Sequence, residues 1–78
     1  MPTVLRVRGY RFFFFSADRR ERPHIHVDKE DGYAKFWLEP LTLARSRGFA
    51  SHELTEIAGL VAKHRTSFKE KWDEHFSS

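Results

Sequence analysis

Apolar and polar residues alternate through the first half of the chain, which is typical of β-strands with one buried face. Leu5 and Val7 share one face of a first strand, and Arg8-Gly9 can turn the chain. The aromatic run over residues 10–16 has high strand propensity and predicts a second strand. Residues 17–22 are polar and charged, so we expect a loop there.

A β-hairpin is predicted around Asp31-Gly32, because this dipeptide is a strong signal for a two-residue hairpin turn. Its strands are residues 24–28 and 33–38, and Glu39-Pro40 ends the second strand. The pattern leaves residues 41–47 ambiguous between a short fifth strand and a loop.

From residue 51 the apolar spacing changes to three and four residues, which indicates an amphipathic helix. Its apolar stripe contains Leu54, Ile57, Val61, Phe68, Trp72 and Phe76. Ser51 is the predicted N-cap. The pattern therefore predicts a single α+β domain over residues 1–78. One long C-terminal helix (about 51–75) packs on one face of a small antiparallel sheet of four or five strands (about 3–47).

The two faces of the hairpin can be assigned because side chains alternate along each strand. One face is apolar, and we expect the helix to cover it (Ile25, Val27, Ala34, Phe36 and Leu38). The opposite face is polar and aromatic (His24, His26, Asp28, Tyr33, Lys35, Trp37 and Glu39). A register shift of two residues would leave both sets unchanged.

One interpretation of the polar face is general acid–base chemistry on RNA or another phosphate ester. The candidate catalytic residues are His24, His26, Lys35 and Tyr33. An imidazole that titrates near neutral pH can move a proton, and Lys35 or Arg11 could stabilise transition-state charge. Tyr33 or Trp37 could stack on a base. The enzyme would then be a metal-independent, ribonuclease-like toxin, and we expect no cofactor.

Two other interpretations of the same face remain open. His24, His26 and Asp28 could bind a metal ion, although a His-x-His pattern alone is weak. Alternatively, the face is a half-exposed sheet surface that carries cross-strand pairs, Asp28 with Lys35 and His24 with Glu39.

Composition and charge limit the kinds of molecule that the chain is expected to bind. The chain has no Cys, so disulfides are excluded, and its net charge of +3 suits an anionic partner. Six arginines lie in the first 22 residues. Together with Trp37 as a stacking ring they are the candidate nucleic-acid contacts (Arg6, Arg8, Arg11, Arg19, Arg20 and Arg22). Arginines interrupt every apolar run near the N-terminus, so we expect a cytoplasmic protein without a membrane partner.

The eight phenylalanines raise the question of what covers them. Strand alternation places Tyr10, Phe12 and Phe14 on one face and Phe13 and Phe15 on the other. Because a single helix can cover only one face, we expect Phe13 and Phe15 to form an exposed partner interface. The partner would be a second copy of the chain or a cognate small protein.

Several sequence blocks together resemble a known family. These are Gly9-Tyr10-Arg11-Phe12-Phe13-Phe14, Pro23-His24-Ile25-His26-Val27 and Ala34-Lys35-Phe36-Trp37-Leu38-Glu39-Pro40. They are similar to short prokaryotic proteins catalogued as domain of unknown function 4160. One departure is Ala50, where similar proteins tend to have a Ser that would form a capping box with Glu53.

The resemblance implies a function in partnership, because such proteins are commonly encoded next to another small protein in what looks like a toxin–antitoxin cassette. We therefore expect one component of a toxin–antitoxin-like pair that acts on or binds RNA. The toxin side is favoured, because the sequence has no evident helix-turn-helix or disordered tail. The alternatives are a non-enzymatic module that binds protein or nucleic acid, and a His-based metal-binding protein.

Overall fold

A computed structural model describes residues 3–15 and 19–77, which form a five-stranded antiparallel sheet followed by two helices. The elements are β1 (Thr3–Val7), β2 (Tyr10–Phe13), β3 (His24–Lys29), β4 (Gly32–Leu38), β5 (Leu41–Arg47), α1 (Ser51–Lys63) and α2 (Arg65–Phe76). Each strand pairs with the next along the chain, so β1 and β5 are the two edges of the sheet. The α+β prediction is confirmed, and residues 41–47 form the fifth strand. Ser16 and residues 17–18, part of the predicted second strand and loop, lie outside the described residues.

Two helices replace the single long helix, so that part of the prediction is wrong. His64 leaves helical geometry, with φ −103° and ψ 12°, although its amide still donates to the carbonyl of Leu60. A straight helix over residues 51–76 would be about 39 Å long, whereas a seven-residue strand spans roughly 23 Å. The break allows both α1 and α2 to contact β4. Within the described ranges, neither helix is long and apolar enough to cross a membrane.

The helices cover one face of the sheet, and the core lies between the helices and this face. From the sheet it contains Tyr10, Phe12, Phe14, Ile25, Val27, Ala34, Phe36 and Leu38, and from the helices Ile57, Leu60, Val61, Phe68 and Trp72. The predicted face of the second strand is confirmed. Phe12 packs on Phe68 and Phe14 on Trp72, each pair with ring centroids 5.3 Å apart.

The hairpin between β3 and β4 has its turn one residue earlier than predicted. Gly32 pairs with Lys29, so the turn residues are Glu30 and Asp31. Gly32 is required in the strand because the Phe49 ring packs directly against it, and an added Cβ would lie 2.3 Å from a ring carbon. Since the register differs by two residues, the strand residues keep their predicted faces. Glu39, predicted on the polar face, lies beyond β4 and forms an ion pair with Lys69 of α2, so its predicted place is wrong.

Helix α1 begins at a different cap from the predicted Ser51. Ala50 is the N-cap, with extended backbone geometry, and its amide donates to Glu53 Oε1 at 2.8 Å. This is one half of a capping box. Ala50 has no side-chain oxygen for the reciprocal bond, so the helix start lacks one cap interaction.

The turn between β1 and β2 is bonded to α1. Tyr10 Oη donates to Glu56 Oε1 at 2.8 Å, and Arg8 Nη1 lies 2.9 Å from Glu56 Oε2. Burial and the hydrogen bond to Glu56 raise the pKa of Tyr10 to about 12. The hydrogen bonds from Tyr10 and Arg8 lower the pKa of Glu56. Arg8 therefore lies on the helix side of the sheet, away from the other predicted nucleic-acid contacts.

Candidate functional site

The sheet face opposite the helices carries most of the predicted site residues, and we call it the open face. Directly opposed residues on neighbouring strands share a face, so the pairing arranges it in rows. One row contains Arg6, Arg11, Asp28, Tyr33 and Arg47, the next contains Phe13, His26, Lys35 and Arg45, and the third contains His24, Trp37 and Thr42. The four candidate catalytic residues are therefore on one surface, as predicted.

The first row contains the Arg11–Asp28 ion pair and the Tyr33 ring, which has two arginines beside it. Arg11 donates to both carboxylate oxygens of Asp28, with Nη2–Oδ2 2.8 Å and Nε–Oδ1 3.2 Å. The hydrogen bond to Asp28 raises the pKa of Arg11. The guanidinium carbons of Arg45 and Arg47 lie 5.8 and 5.5 Å from the Tyr33 ring centroid. Cations at this distance interact favourably with the ring face.

The second row is centred on His26, which is only 2 % exposed. Its ring is stacked on Phe13 at 5.4 Å and meets the edge of Phe15 at 4.5 Å. His26 Nδ1 and Tyr33 Oη share a hydrogen bond of 2.8 Å. On the neighbouring strand, Lys35 Nζ forms an ion pair with Glu21, so a carboxylate already neutralises that cation.

The third row contains the buried imidazole of His24 and the indole of Trp37, which has an arginine over its ring. His24 is 0 % exposed, and its Nδ1–H donates to the carbonyl of Arg22 at 2.8 Å. Its ring lies between Trp37 and Trp72. The guanidinium of Arg22 lies over the Trp37 ring, with its carbon 4.3 Å from the ring centroid.

Burial separates the candidate catalytic residues into two groups, because His24, His26 and Lys35 are buried and Tyr33 is not. Both imidazoles are enclosed by rings, so neither presents a surface to a large substrate. Tyr33 is half-buried and lines an open groove of about 540 Å³ together with Arg11, Asp28, Arg45 and Arg47. The groove therefore offers a ring and the arginines Arg45 and Arg47, and carboxylates at its hairpin end.

The expected aromatic patch is on the predicted face but is not exposed. Phe13 is 2 % exposed, because Arg11 lies over its ring at 4.3 Å and Phe15 and His26 pack against it. The expectation that Phe13 offers an accessible ring to a partner is therefore wrong. Phe15 remains half-buried at the margin of the face.

Comparison with known families shows which family the chain belongs to. The family model described as "Domain of unknown function (DUF4160)" matches residues 9–73. The chain belongs to this family. The match confirms the resemblance seen in the sequence blocks. No curated protein and no solved structure matches the chain.

The ion pairs of this DUF4160 chain differ from the cross-strand pairs predicted for a half-exposed sheet surface. Asp28 was expected opposite Lys35, but Asp28 binds Arg11 and Lys35 binds Glu21. Glu39 was expected opposite His24, but it lies 2.8 Å from Lys69 Nζ, and the hydrogen bond to Lys69 lowers its pKa. The predicted pairs are therefore wrong, because the two-residue difference in register places Asp28 opposite Tyr33 and His24 opposite Trp37.

The metal interpretation finds little support in the geometry. Among residues 3–15 and 19–77, no group of three His, Asp or Glu side chains is arranged to hold a metal ion. Asp28 is engaged with Arg11, and the Nδ1–H of His24 is bonded to a carbonyl.

Two site residues were missed from the sequence. Arg45 and Arg47 stand on the open face because β5 is a strand, and an Arg-x-Arg spacing places both side chains on one side. None of the ion pairs among the described residues involves either arginine. The period-two spacing was the available signal, but it was uninformative while residues 41–47 were unassigned. Arg19 and Arg20 are exposed and precede β3.

Proposed function

We propose that this DUF4160 protein binds single-stranded RNA on its open face, as the toxin-side component of a toxin–antitoxin-like pair. One observation carries the proposal. Arginines lie over aromatic rings at three places on the face that the helices leave uncovered: Arg22 over Trp37, the Arg45–Arg47 pair over Tyr33, and Arg11, which is held by Asp28, over Phe13.

These arrangements suit unpaired bases better than a duplex. Unstacked bases bind to aromatic rings and to the flat faces of guanidinium groups, while the same cations contact phosphates. A base can continue the stack on Arg22 or displace it from Trp37. A duplex offers mainly its backbone to a protein, and its bases are already stacked.

Charge on the open face limits where the phosphates can lie. Asp28 neutralises Arg11 and Glu21 neutralises Lys35, which leaves Arg6 on β1 and, on the other half of the face, Arg22, Arg45 and Arg47 as the cations available to RNA. Glu30 and Asp31 line the hairpin end of the groove and disfavour phosphate there. The RNA strand is therefore expected to cross from the Tyr33 groove towards Trp37, along β4 and β5.

A second candidate function, cleavage of the bound RNA, has one observation in its favour. The hydroxyl of the half-buried Tyr33 is hydrogen-bonded to the buried His26. In that case Tyr33 would be the group that touches substrate, and His26 would exchange a proton with it from behind. Burial of both imidazoles favours binding over cleavage as the primary function.

Fluorescence anisotropy with a labelled oligouridine tests the binding proposal. We expect Trp37→Ala and Arg22→Ala each to weaken binding about tenfold, because base stacking on a ring is worth about 1–3 kcal/mol. Lys63→Ala, an exposed cation on α1, is the matched control and should leave affinity unchanged. Binding that is insensitive to both open-face variants would overturn the proposal.

Expression in a bacterial host tests the toxin-side assignment. We expect growth arrest when the chain is expressed alone and recovery when its genomic neighbour is co-expressed. Trp37→Ala should relieve the arrest, and Tyr33→Phe separates binding from cleavage because it removes only the hydroxyl. Normal growth with abundant folded protein would contradict the toxin-side role.

A further inference from the structure

The β5 strand (Leu41–Arg47) is an open edge of the sheet, and its pairing with β4 is irregular between Leu43 and Arg45. It pairs with β4 on one side, and no strand of the described residues lies on its other side. Residues 42–47 are all exposed. An edge of this kind presents backbone N–H and C=O groups that can pair with an additional strand.

The helix side of this edge is apolar. Leu43 is 43 % exposed, the one large apolar side chain so exposed in the part of the chain that the structure describes. It borders a shallow groove of about 310 Å³ between β5 and α1, which is lined with Phe36, Leu54 and Ala58. A strand added to β5 would place every second side chain over this groove.

The other side of the same edge is cationic. Arg45 and Arg47 point to the open face, and β5 contains no acidic residue. Side chains of an added strand that alternate with those in the groove would lie beside these two arginines. Acidic side chains at those positions would form ion pairs that the isolated chain lacks.

We propose that the β5 edge binds an extended acidic segment of a different protein as a sixth strand. The segment alternates apolar side chains, which enter the groove beside Leu43, with Asp or Glu side chains, which pair with Arg45 and Arg47. Backbone pairing with the edge supplies affinity, and the two rows of side chains supply specificity. The inference shares Arg45 and Arg47 with the RNA proposal, but it also uses the backbone edge and the groove beside Leu43, which RNA binding does not need.

Charge selects a different protein over a second copy of the chain. Pairing of two β5 edges would bring the arginines of both copies onto one surface, and like charges across neighbouring strands are destabilising. The arginines thus disfavour self-association, as charged residues do on the edges of many natural sheets.

A synthetic peptide matched to the seven residues of β5, with Val and Glu alternating, tests the proposal. We expect it to bind the intact chain and to shift and protect the β5 amides in NMR spectra. The double variant R45E/R47E should weaken binding at least about tenfold, whereas K63E/K71E, an equal charge change on exposed helix positions, should not. Leu43→Asp should also abolish peptide binding while oligouridine binding persists.

A charge exchange keeps the proposal falsifiable if a variant is poorly folded. A peptide with Val and Lys alternating should bind R45E/R47E more tightly than the unaltered chain, which rules out a general loss of structure. Three results would overturn the inference: equal binding of the Glu and Lys peptides, amide shifts outside β5, or a β5-mediated dimer that excludes the peptide. Loss of oligouridine binding in Trp37→Ala, with peptide binding intact, distinguishes this inference from the RNA proposal.

Discussion

The two faces of this sheet bury their side chains in different ways. On the helix-covered face, strand side chains contact residues more than fifty positions away, as Phe12 contacts Phe68. On the open face, the Phe13 ring is buried by His26 on the neighbouring strand and by Arg11 laid over it, and only His24 at the end of the face contacts a helix residue, Trp72, among the ring contacts described. The first arrangement holds the fold together. The second leaves a surface whose outermost layer is cationic and available to a ligand.

The largest effect should come from truncating a ring on the covered face. Phe12 is 0 % exposed, so Phe12→Ala should lower the free energy of unfolding by about 3–5 kcal/mol through lost burial and the cavity left behind. Phe15→Ala, at the margin of the open face, should cost at least about 2 kcal/mol less. Urea denaturation compares the two, and equal losses would mean that the open face is also structural core.

The next effect separates binding from stability on the open face. The double variant R45A/R47A removes two cations outside every ion pair of the described residues, so the free energy of unfolding should stay within about 0.5 kcal/mol of the unaltered value. The salt dependence of oligouridine binding should become shallower by about 1.4 in log–log slope, because each phosphate contact on a single strand contributes about 0.7. An unchanged slope would remove both arginines from the RNA interface.

The pH dependence of stability tests the hydrogen bond between Tyr10 and Glu56, which joins the sheet to α1. Because the pKa of Tyr10 is raised from 10.0 to about 12, the folded state holds this proton more tightly than the unfolded state. The stabilisation is complete below pH 10 and is lost as pH rises from 10 to about 12. Tyr10→Phe should flatten the stability curve over that interval, and a curve of unchanged slope would show that another group causes the loss.

The smallest effect concerns the start of α1. Ala50→Ser should complete the capping box with Glu53 and raise the free energy of unfolding by about 1 kcal/mol. Ser51→Ala is the control, because Ser51 follows the N-cap and should matter less. Thermal unfolding measures both variants, and a larger loss from Ser51→Ala would return the cap to Ser51.

How far the sequence predicts this molecule depends on the range of the interactions involved. Alternation along single strands correctly assigned Phe12 and Phe13 to opposite faces and collected His26, Tyr33 and Lys35 on one surface. That inference needs only local geometry, and it tolerates a register error of two residues.

The features that could not be predicted depend on contacts between distant segments. Gly32 is in the strand because the ring of Phe49 lies against it, and the helix breaks at His64 so that both halves reach the sheet. The pairing of Lys35 with Glu21 brings a loop residue onto the open face. The burial of both imidazoles, which argues against direct catalysis by them, follows from such packing and has no local signature.

RNA is expected to contact the open face and not the helices. Titration of the ¹⁵N-labelled chain with oligouridine, followed by amide chemical shifts, tests this expectation directly. We expect progressive shifts in β3, β4 and β5 and at the indole N–H of Trp37, with α1 and α2 unaffected. Shifts confined to the helices, or no shifts at low ionic strength, would contradict it.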